Sequence, residues 1–222
     1  MALATGNLQP VKSFMCLLAR YSKRSNLSNT YPMIWWPTEV PTLSRGLITL
    51  RPARESDIES IYEACQDPLI PKFTTVPANY TLAHAEFFIR EKAPQSFLNQ
   101  SELLFIMEKG VGEDAKFAGP ISFHSFDVAN ESAEIGYWIT QEMRGMGIGK
   151  IACQLLTDYG FTTMGYRRIQ AHVNVENIAS RKVLLASGYT LEGVIRSKVK
   201  EDNGQFTDMA LFSILNDEWK GL

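Results

Sequence analysis

The densest chemical feature of the sequence is Arg144-Gly145-Met146-Gly147-Ile148-Gly149-Lys150. Three alternating glycines leave the backbone N–H groups uncovered, and a helix starting here would add the positive end of its dipole. Such a loop can bind a pyrophosphate closely, with Arg144 and Lys150 offering countercharge. The alternative is a glycine-rich turn that only lets a strand meet a helix. Spacing excludes two nucleotide loops. A Walker loop needs Ser or Thr after its Gly-Lys pair, and Lys150 is followed by Ile151. A dinucleotide fingerprint needs a third glycine where Lys150 stands.

The elements that must hold this loop alternate in type. Residues 47–52 read as a strand stopped by Pro52. Ser56 and Asp57 open a helix with Ile58, Ile61, Tyr62 and Cys65 on one face, ending before Pro68. Residues 68–80 read as a long irregular loop. A second helix follows Thr81, with Leu82, Ala85, Phe88 and Ile89 as its buried stripe. Strands at 102–108, 117–126 and 133–139 form an antiparallel meander. Residues 147–164 carry Ile148, Ile151, Ala152, Leu155, Leu156, Tyr159 and Phe161 at near-helical spacing, and Gly165 stops them. A strand at 168–173, a helix at 177–187 capped by Gly188, and a hairpin of 189–199 with 205–215 across Asn203-Gly204 complete the chain. The order β-α-α-β-β-β-α-β-α-β-β describes an α/β domain without internal repeats.

With these elements in place, the sequence resembles the GNAT N-acetyltransferases. Their acetyl-CoA signature is Gln or Arg, any two residues, Gly, any residue, then Gly or Ala, after the fourth strand. Arg144-Gly145-Met146-Gly147-Ile148-Gly149 matches it in full. The runs Ala133-Glu134-Ile135-Gly136-Tyr137-Trp138-Ile139, Asn174-Val175-Glu176-Asn177-Ile178-Ala179-Ser180 and Gly188-Tyr189-Thr190-Leu191-Glu192-Gly193-Val194-Ile195-Arg196 look like the branch related to the Rim ribosomal-protein N-acetyltransferases. The resemblance spans residues 45–219. It implies a mixed, mostly antiparallel twisted sheet of about seven strands, flanked by helices and splayed between strands four and five.

The resemblance also implies an activity, with acetyl-CoA as co-substrate. Acetyl would pass directly to a primary amine in a ternary complex, and the expected acceptor is the α-amino group of a protein or peptide amino terminus, of a ribosomal or another protein. Backbone groups at Trp138 and Ile139 would pair with the pantetheine amides like a neighbouring strand. The amides of Arg144, Gly145, Met146, Gly147, Ile148 and Gly149, with Lys150 at the end of the loop, would take the pyrophosphate. Asn177 would hydrogen-bond the pantetheine arm, or act as a plain helix cap for a turn containing Ser180. Residues 68–80 would help form the acceptor groove.

Attack by an amine requires that a proton be accepted. Glu134, two residues before Gly136, resembles the family position for the base; the alternative is a surface charge paired across the sheet. The family's thiolate-protonating tyrosine is replaced by Leu184, which turns attention to Ser180 or a water, while Ser180 also suits a capping role. His124 and His172 read as structural strand histidines, and Tyr189 as core with a minor role as acid. Tyr137 and Trp138 alternate, so one lines the site and the other the core. Glu192, Arg196 and Asp208 read as exposed charges near the acceptor channel. Two rivals stay open: a small-amine acetyltransferase acting on a polyamine, amino acid or antibiotic, favoured by an acidic pocket, and a non-catalytic acyl-CoA-binding regulatory module.

Composition narrows the classes further. The chain of 222 residues has a net charge of -2, which supplies no broad basic face for nucleic acid. No apolar run is long enough for a transmembrane helix. Cys16, Cys65 and Cys153 are odd in number and lack metal spacing, so no metal site and a reducing, cytoplasmic setting are expected. Residues 1–32 contain Lys12, Arg20, Lys23 and Arg24 and no acid, whereas residues 33–222 carry a net charge of -6. This basic leader reads as disordered or as the product of a start upstream of Met33, with an organellar transit peptide as the alternative. The domain is expected over 33–222, with Trp35 and Trp36 packing on its edge, as a monomer or homodimer.

Overall fold

The computed structural model describes residues 35–201 and 204–222; the expectations for residues 1–32, Met33 and Asn203 lie outside them. The strands are β1 (Leu43–Arg45), β2 (Ile48–Arg51), β3 (Glu102–Lys109), β4 (Lys116–Asp127), β5 (Ser132–Tyr137), β6 (Arg168–Asn174), β7 (Thr190–Lys200) and β8 (Phe206–Leu215). They form one sheet in the order β1-β2-β3-β4-β5-β6-β8-β7. The sheet exceeds the seven strands expected because residues 43–45 fold back on β2 as an added edge. The helices are α1 (Asp57–Ala64), α2 (Leu69–Phe73), α3 (Leu82–Phe87), α4 (Ala93–Leu98), α5 (Ile148–Tyr159) and α6 (Ile178–Ala186).

Strand β5 divides the molecule. Every strand pair is antiparallel except β5 with β6, whose parallel register is confined to Ser132↔Arg168, Ala133↔Ile169 and Glu134↔Gln170. Beyond Glu134 the two strands separate, while β5 stays paired to β4 as far as Tyr137↔Ile121. The expected splay is therefore a gap with Ile135–Tyr137 on one bank and Ala171–Asn174 on the other. The β-strand alternation sends Ala133, Ile135 and Tyr137 to one face and Glu134, Gly136 and Trp138 to the other.

The first face is covered by α5, whose Ile148, Ala152, Leu155, Leu156 and Tyr159 recur at helical spacing and are all buried against Phe105, Phe123 and Ile135. Each buried Ile or Leu among them contributes about 1.5–3 kcal/mol. The helix continues as a π-helical segment, Gly160–Met164, and stops at Gly165 in the left-handed region. The second face carries a smaller core in which Ile58 and Ile61 of α1, with Cys65 just after it, meet Ile70, Ala85, Ile89 and Ile106, with Phe117 and Trp138 against it.

Two expectations need correction here. Residues 68–80 are not wholly irregular, because α2 occupies Leu69–Phe73 and buries Ile70. The second helix is not uniform either: α3 passes into a π-helical turn, Phe88–Lys92, before α4. Pro94 stands at the start of α4, and a wide turn before it removes the clash and missing donor that proline would impose on a regular helix. Ala85 and Ile89 are buried as expected, but Leu82 is exposed.

The helical layer on the second face is pinned by charge. Arg51 Nη1 and Nη2 donate to Asp57 Oδ2 and Oδ1 at 2.8 and 2.6 Å, and Nη2 pairs with Glu108 at 2.6 Å. Asp57 Oδ2 also accepts from the Arg54 N–H at 2.7 Å, which fixes the start of α1 to the end of β2. Trp36 packs on Phe97 and Phe126, so this tryptophan does seal the edge of the domain.

Candidate active site

The candidate residues divide between the two faces of the sheet at the gap between β5 and β6. On the α5 face lies the glycine loop. Gly145 and Gly147 take φ values of 73° and 77°, and a Cβ at either would meet nothing within 4 Å. The loop thus turns its backbone outward beside α5, whose start has no side-chain cap. The first-turn N–H groups of Ile148, Gly149 and Lys150 lack intrahelical partners by position. Gly149 is buried under Ile139 and Val183, and Lys150 and Met146 are exposed. This arrangement fits a pyrophosphate.

Arg144 does something the sequence did not suggest. Its Nε donates to the Ile139 carbonyl at 3.0 Å and its Nη2 pairs with Asp67 at 2.5 Å, tying the loop to the segment after α1. The guanidinium is therefore a brace for the loop as well as a source of charge. A second cation stands in for it: Lys109, at the end of β3, donates to Met146 Sδ at 3.3 Å. No motif could reveal Lys109, because only strand order brings it to the loop.

The strand backbone differs between Trp138 and Ile139 in what it leaves free. The Trp138 N–H donates to Pro120 at 3.3 Å, and its carbonyl presses on Gly119 so closely that a Cβ there would come within 2.2 Å. Both backbone groups of Trp138 are turned to β4. The Thr140 N–H likewise donates to Ala118 at 3.0 Å, so the intervening Ile139 N–H faces the gap. An incoming amide can pair with that group.

Across the gap, Asn177 caps α6 by accepting the Ser180 N–H at 3.0 Å, which leaves its side-chain N–H groups for a ligand. Both readings of Asn177 are thus compatible. Ser180 Oγ lies 3.0 Å from the Tyr137 hydroxyl. Burial, with a smaller contribution from Cys153, pushes the Tyr137 hydroxyl well above its ordinary value, so it stays protonated. Leu184 is fully buried, and Tyr189 is buried with its hydroxyl 2.7 Å from Thr157, so neither reaches the gap.

On the opposite face, Glu134 Oε2 accepts a hydrogen bond from His172 Nδ1 at 2.9 Å. Burial pushes the Glu134 carboxyl up, but the bond and charge of His172, helped by His124, outweigh it and hold the carboxyl below 4.5. Glu134 is thus a mostly buried carboxylate paired across the sheet, as its structural reading expects, at the mouth of the gap where a base would stand. Further along this face, Trp138 lines a cavity of about 340 Å³ with Ile61, Val76, Tyr80, His84, Phe87, Phe88 and Lys92. Its lining contains no carboxylate. The acids expected near the acceptor channel are engaged elsewhere: Glu192 binds Arg168 through two bonds of 2.7 Å, and Asp208 accepts the Ser197 N–H at 2.8 Å. Among the described residues, no cluster of His, Cys, Asp or Glu is placed to hold a metal ion.

A glycine loop at an uncapped helix start, a gap between diverging parallel strands and an amide facing that gap together fit an acyl-CoA. The chain belongs to the GNAT acetyltransferases: the acetyltransferase (GNAT) domain model matches residues 48–190. It is 31% identical over 180 residues to the uncharacterized N-acetyltransferase p20 of Bacillus licheniformis, covering 81% of this chain and 99% of that protein. The ribosomal-protein-serine acetyltransferase of Escherichia coli K12 is 30% identical over 105 residues, 47% of this chain and 58% of that protein. The spermidine N(1)-acetyltransferase of the same organism is 26% identical over 121 residues, 54% and 62% of the two chains. Among solved structures, RimJ of Mycobacterium smegmatis in complex with CoA-disulfide superposes with a TM-score of 0.71 at 26% identity, covering 83% of this chain and 90% of that one. The protein is an acetyl-CoA-dependent N-acetyltransferase with relatives in the Rim-type branch.

Proposed function

We propose that the acceptor is the α-amino group of a protein or peptide amino terminus. The observation that carries this reading is the cavity beside Trp138, which is apolar and aromatic, has Lys92 and His84 in its lining and has no acid. A polyamine would bring several positive charges into a site with no carboxylate to pair with them, at a cost in desolvation. A peptide brings one amine to be acylated and apolar side chains to be buried.

In this reading acetyl-CoA lies on the α5 face, with Gly145, Gly147, Gly149 and the first turn of α5 at its pyrophosphate, Lys150 and Lys109 beside it, and Ile139 and Asn177 along its arm. Met146 and Ile148 contribute backbone. The peptide enters from the other face, and its amine meets the thioester in the gap. Glu134 supplies the negative charge that draws the proton from the amine, and the Ser180 hydroxyl hydrogen-bonds the departing thiolate. Transfer is direct, because Cys65 and Cys153 are buried with thiols pushed up to about 12, and Ser180 is bonded to Tyr137 in place of a histidine. Two buried free thiols also suit a cytoplasmic protein.

The test is acetyl transfer by mass spectrometry in a mixture of peptides with free amino termini, spermidine and amino acids. Labelled peptides are expected. Labelling of spermidine alone would replace this acceptor with a small amine, and binding of acetyl-CoA without any transfer would favour the regulatory module.

A further inference from the structure

The bond between Glu134 and His172 lies where the β5 and β6 register ends. Glu134 is paired with Gln170, the last pair between the two strands, and His172 stands two residues further along β6 on the same face. Its Nδ1 reaches back to Glu134 Oε2 at 2.9 Å, across the mouth of the gap. Both side chains are about five-sixths buried, at 16% and 17% exposure. Because Nδ1 donates to the carboxylate, the neutral imidazole carries its lone pair on Nε2, which has no hydrogen-bond partner among the described residues.

The surroundings keep this arrangement specific. His124 is paired with Glu134 from β4, and its Nε2 sits over Gly136 in space that a Cβ would enter at 2.8 Å. Opposite His172, β8 presents the uncharged Leu211. Arg168 of β6 is bound to Glu192 of β7 and cannot compete for Glu134. Glu134 therefore meets imidazoles on both flanks.

The geometry points to His172 as the proton acceptor of the transfer, through Nε2, with Glu134 as the positioning carboxylate that fixes its tautomer. A carboxylate and an imidazole so joined form the orienting pair found wherever a histidine base must hold one ring nitrogen free. A carboxylate held low is itself a weak base, whereas an imidazole is matched to the task near neutral pH. In the step, the amine lone pair forms the C–N bond to the acetyl carbon. The C–S bond breaks, with its electron pair leaving on the CoA sulfur. One N–H proton passes from the new ammonium to His172 Nε2, and the imidazolium is balanced by Glu134 until solvent removes the proton. The thiolate takes a proton from solvent through Ser180.

This inference rests on the acetyl-transfer reading, and its failure is separable from that reading's failure. His172→Asn keeps a donor close to the Nδ1 position for Glu134 and removes the Nε2 base. Its kcat with a peptide acceptor is expected to fall by about 10²–10⁴-fold, the range for loss of a general base. Its Kd for acetyl-CoA and its unfolding midpoint should stay at the wild-type values. Transfer by His172→Asn at the wild-type rate, with Glu134→Gln inactive, would overturn the assignment and leave Glu134 as the base. No transfer by the wild type to any amine would instead overturn the underlying reading. A second measurement needs no variant: the imidazole ¹⁵N spectrum of the wild type at high pH should show His172 protonated at Nδ1, and protonation at Nε2 would overturn the pair.

Discussion

The Tyr137 hydroxyl lies 3.0 Å from Ser180 Oγ, joining the last residue of β5 to the first turn of α6 across the gap between β5 and β6. With Leu184 buried where the family's tyrosine would stand, this pair of hydroxyls is a protic group on the α5 face beside the gap. Ser180→Ala should lower kcat by about 10²-fold, the low end for loss of an acid–base group. Tyr137→Phe removes only the partner, and should cost about fivefold, the worth of one hydrogen bond. The double variant should be no slower than Ser180→Ala, because the two act as a unit. Steady-state kinetics on the four proteins, with acetyl-CoA affinity as control, decides this.

Gly147 takes φ 77° with open space around it, so Gly147→Ala adds strain without a clash inside the protein. A left-handed alanine costs about 1–2 kcal/mol, which corresponds to roughly a 5–30-fold change if it falls on the bound loop. Calorimetry should show weaker acetyl-CoA binding, with kcat at saturation near wild type. Unchanged affinity would remove the loop from the pyrophosphate site.

Arg51 and Asp57 are each 3% exposed and bind through two hydrogen bonds. Asp57→Ala leaves the guanidinium buried with Glu108 alone, and should destabilise the fold by about 3–5 kcal/mol. Denaturant unfolding measures it. Because the pair holds α1 against β2, and α1 with the residue that follows it supplies Ile61 and Cys65 to the acceptor cavity, KM for the peptide should rise as well.

Much of this site was legible before any fold was known. The glycine loop, its helix, the stop at Gly165 and the cap at Asn177 are written in local sequence, where φ > 0 and capping demand particular residues. The partners were not. Nothing in the spacing of Glu134 and His172 says that they meet, because β6 reaches its place beside β5 only after a helix, and register alone decides which side chains face each other. For the same reason Lys109 at Met146, Asp67 at Arg144 and Tyr137 at Ser180 could not be read. The irregular reading of residues 68–80 failed because α2 is a single short turn held by burial of Ile70, and so short a helix leaves no periodic signal.

Glu192 is held down to about 2 by hydrogen bonds from Arg168 and then Ser213, against an ordinary value of 4.5. A folded-state value below the unfolded one means that its stabilisation is complete above about 4.5 and is lost as pH falls toward about 2. The carboxylate is more than one-third exposed, so screening keeps the effect modest. Wild type should exceed Glu192→Gln in urea midpoint at pH 7, and the difference should vanish at about the lower of those values. A constant difference across pH would show that the charge of Glu192 contributes nothing.

The acceptor is tested most directly with one peptide that carries both a free α-amino group and an internal lysine, incubated with the protein and acetyl-CoA in the presence of spermidine. Tandem mass spectrometry then locates the acetyl group. The label is expected on the α-amino group, with spermidine unmodified and the label absent with Glu134→Gln. Acetyl on spermidine, or on the lysine side chain in preference to the amino terminus, would contradict the assignment of a protein amino terminus as the acceptor.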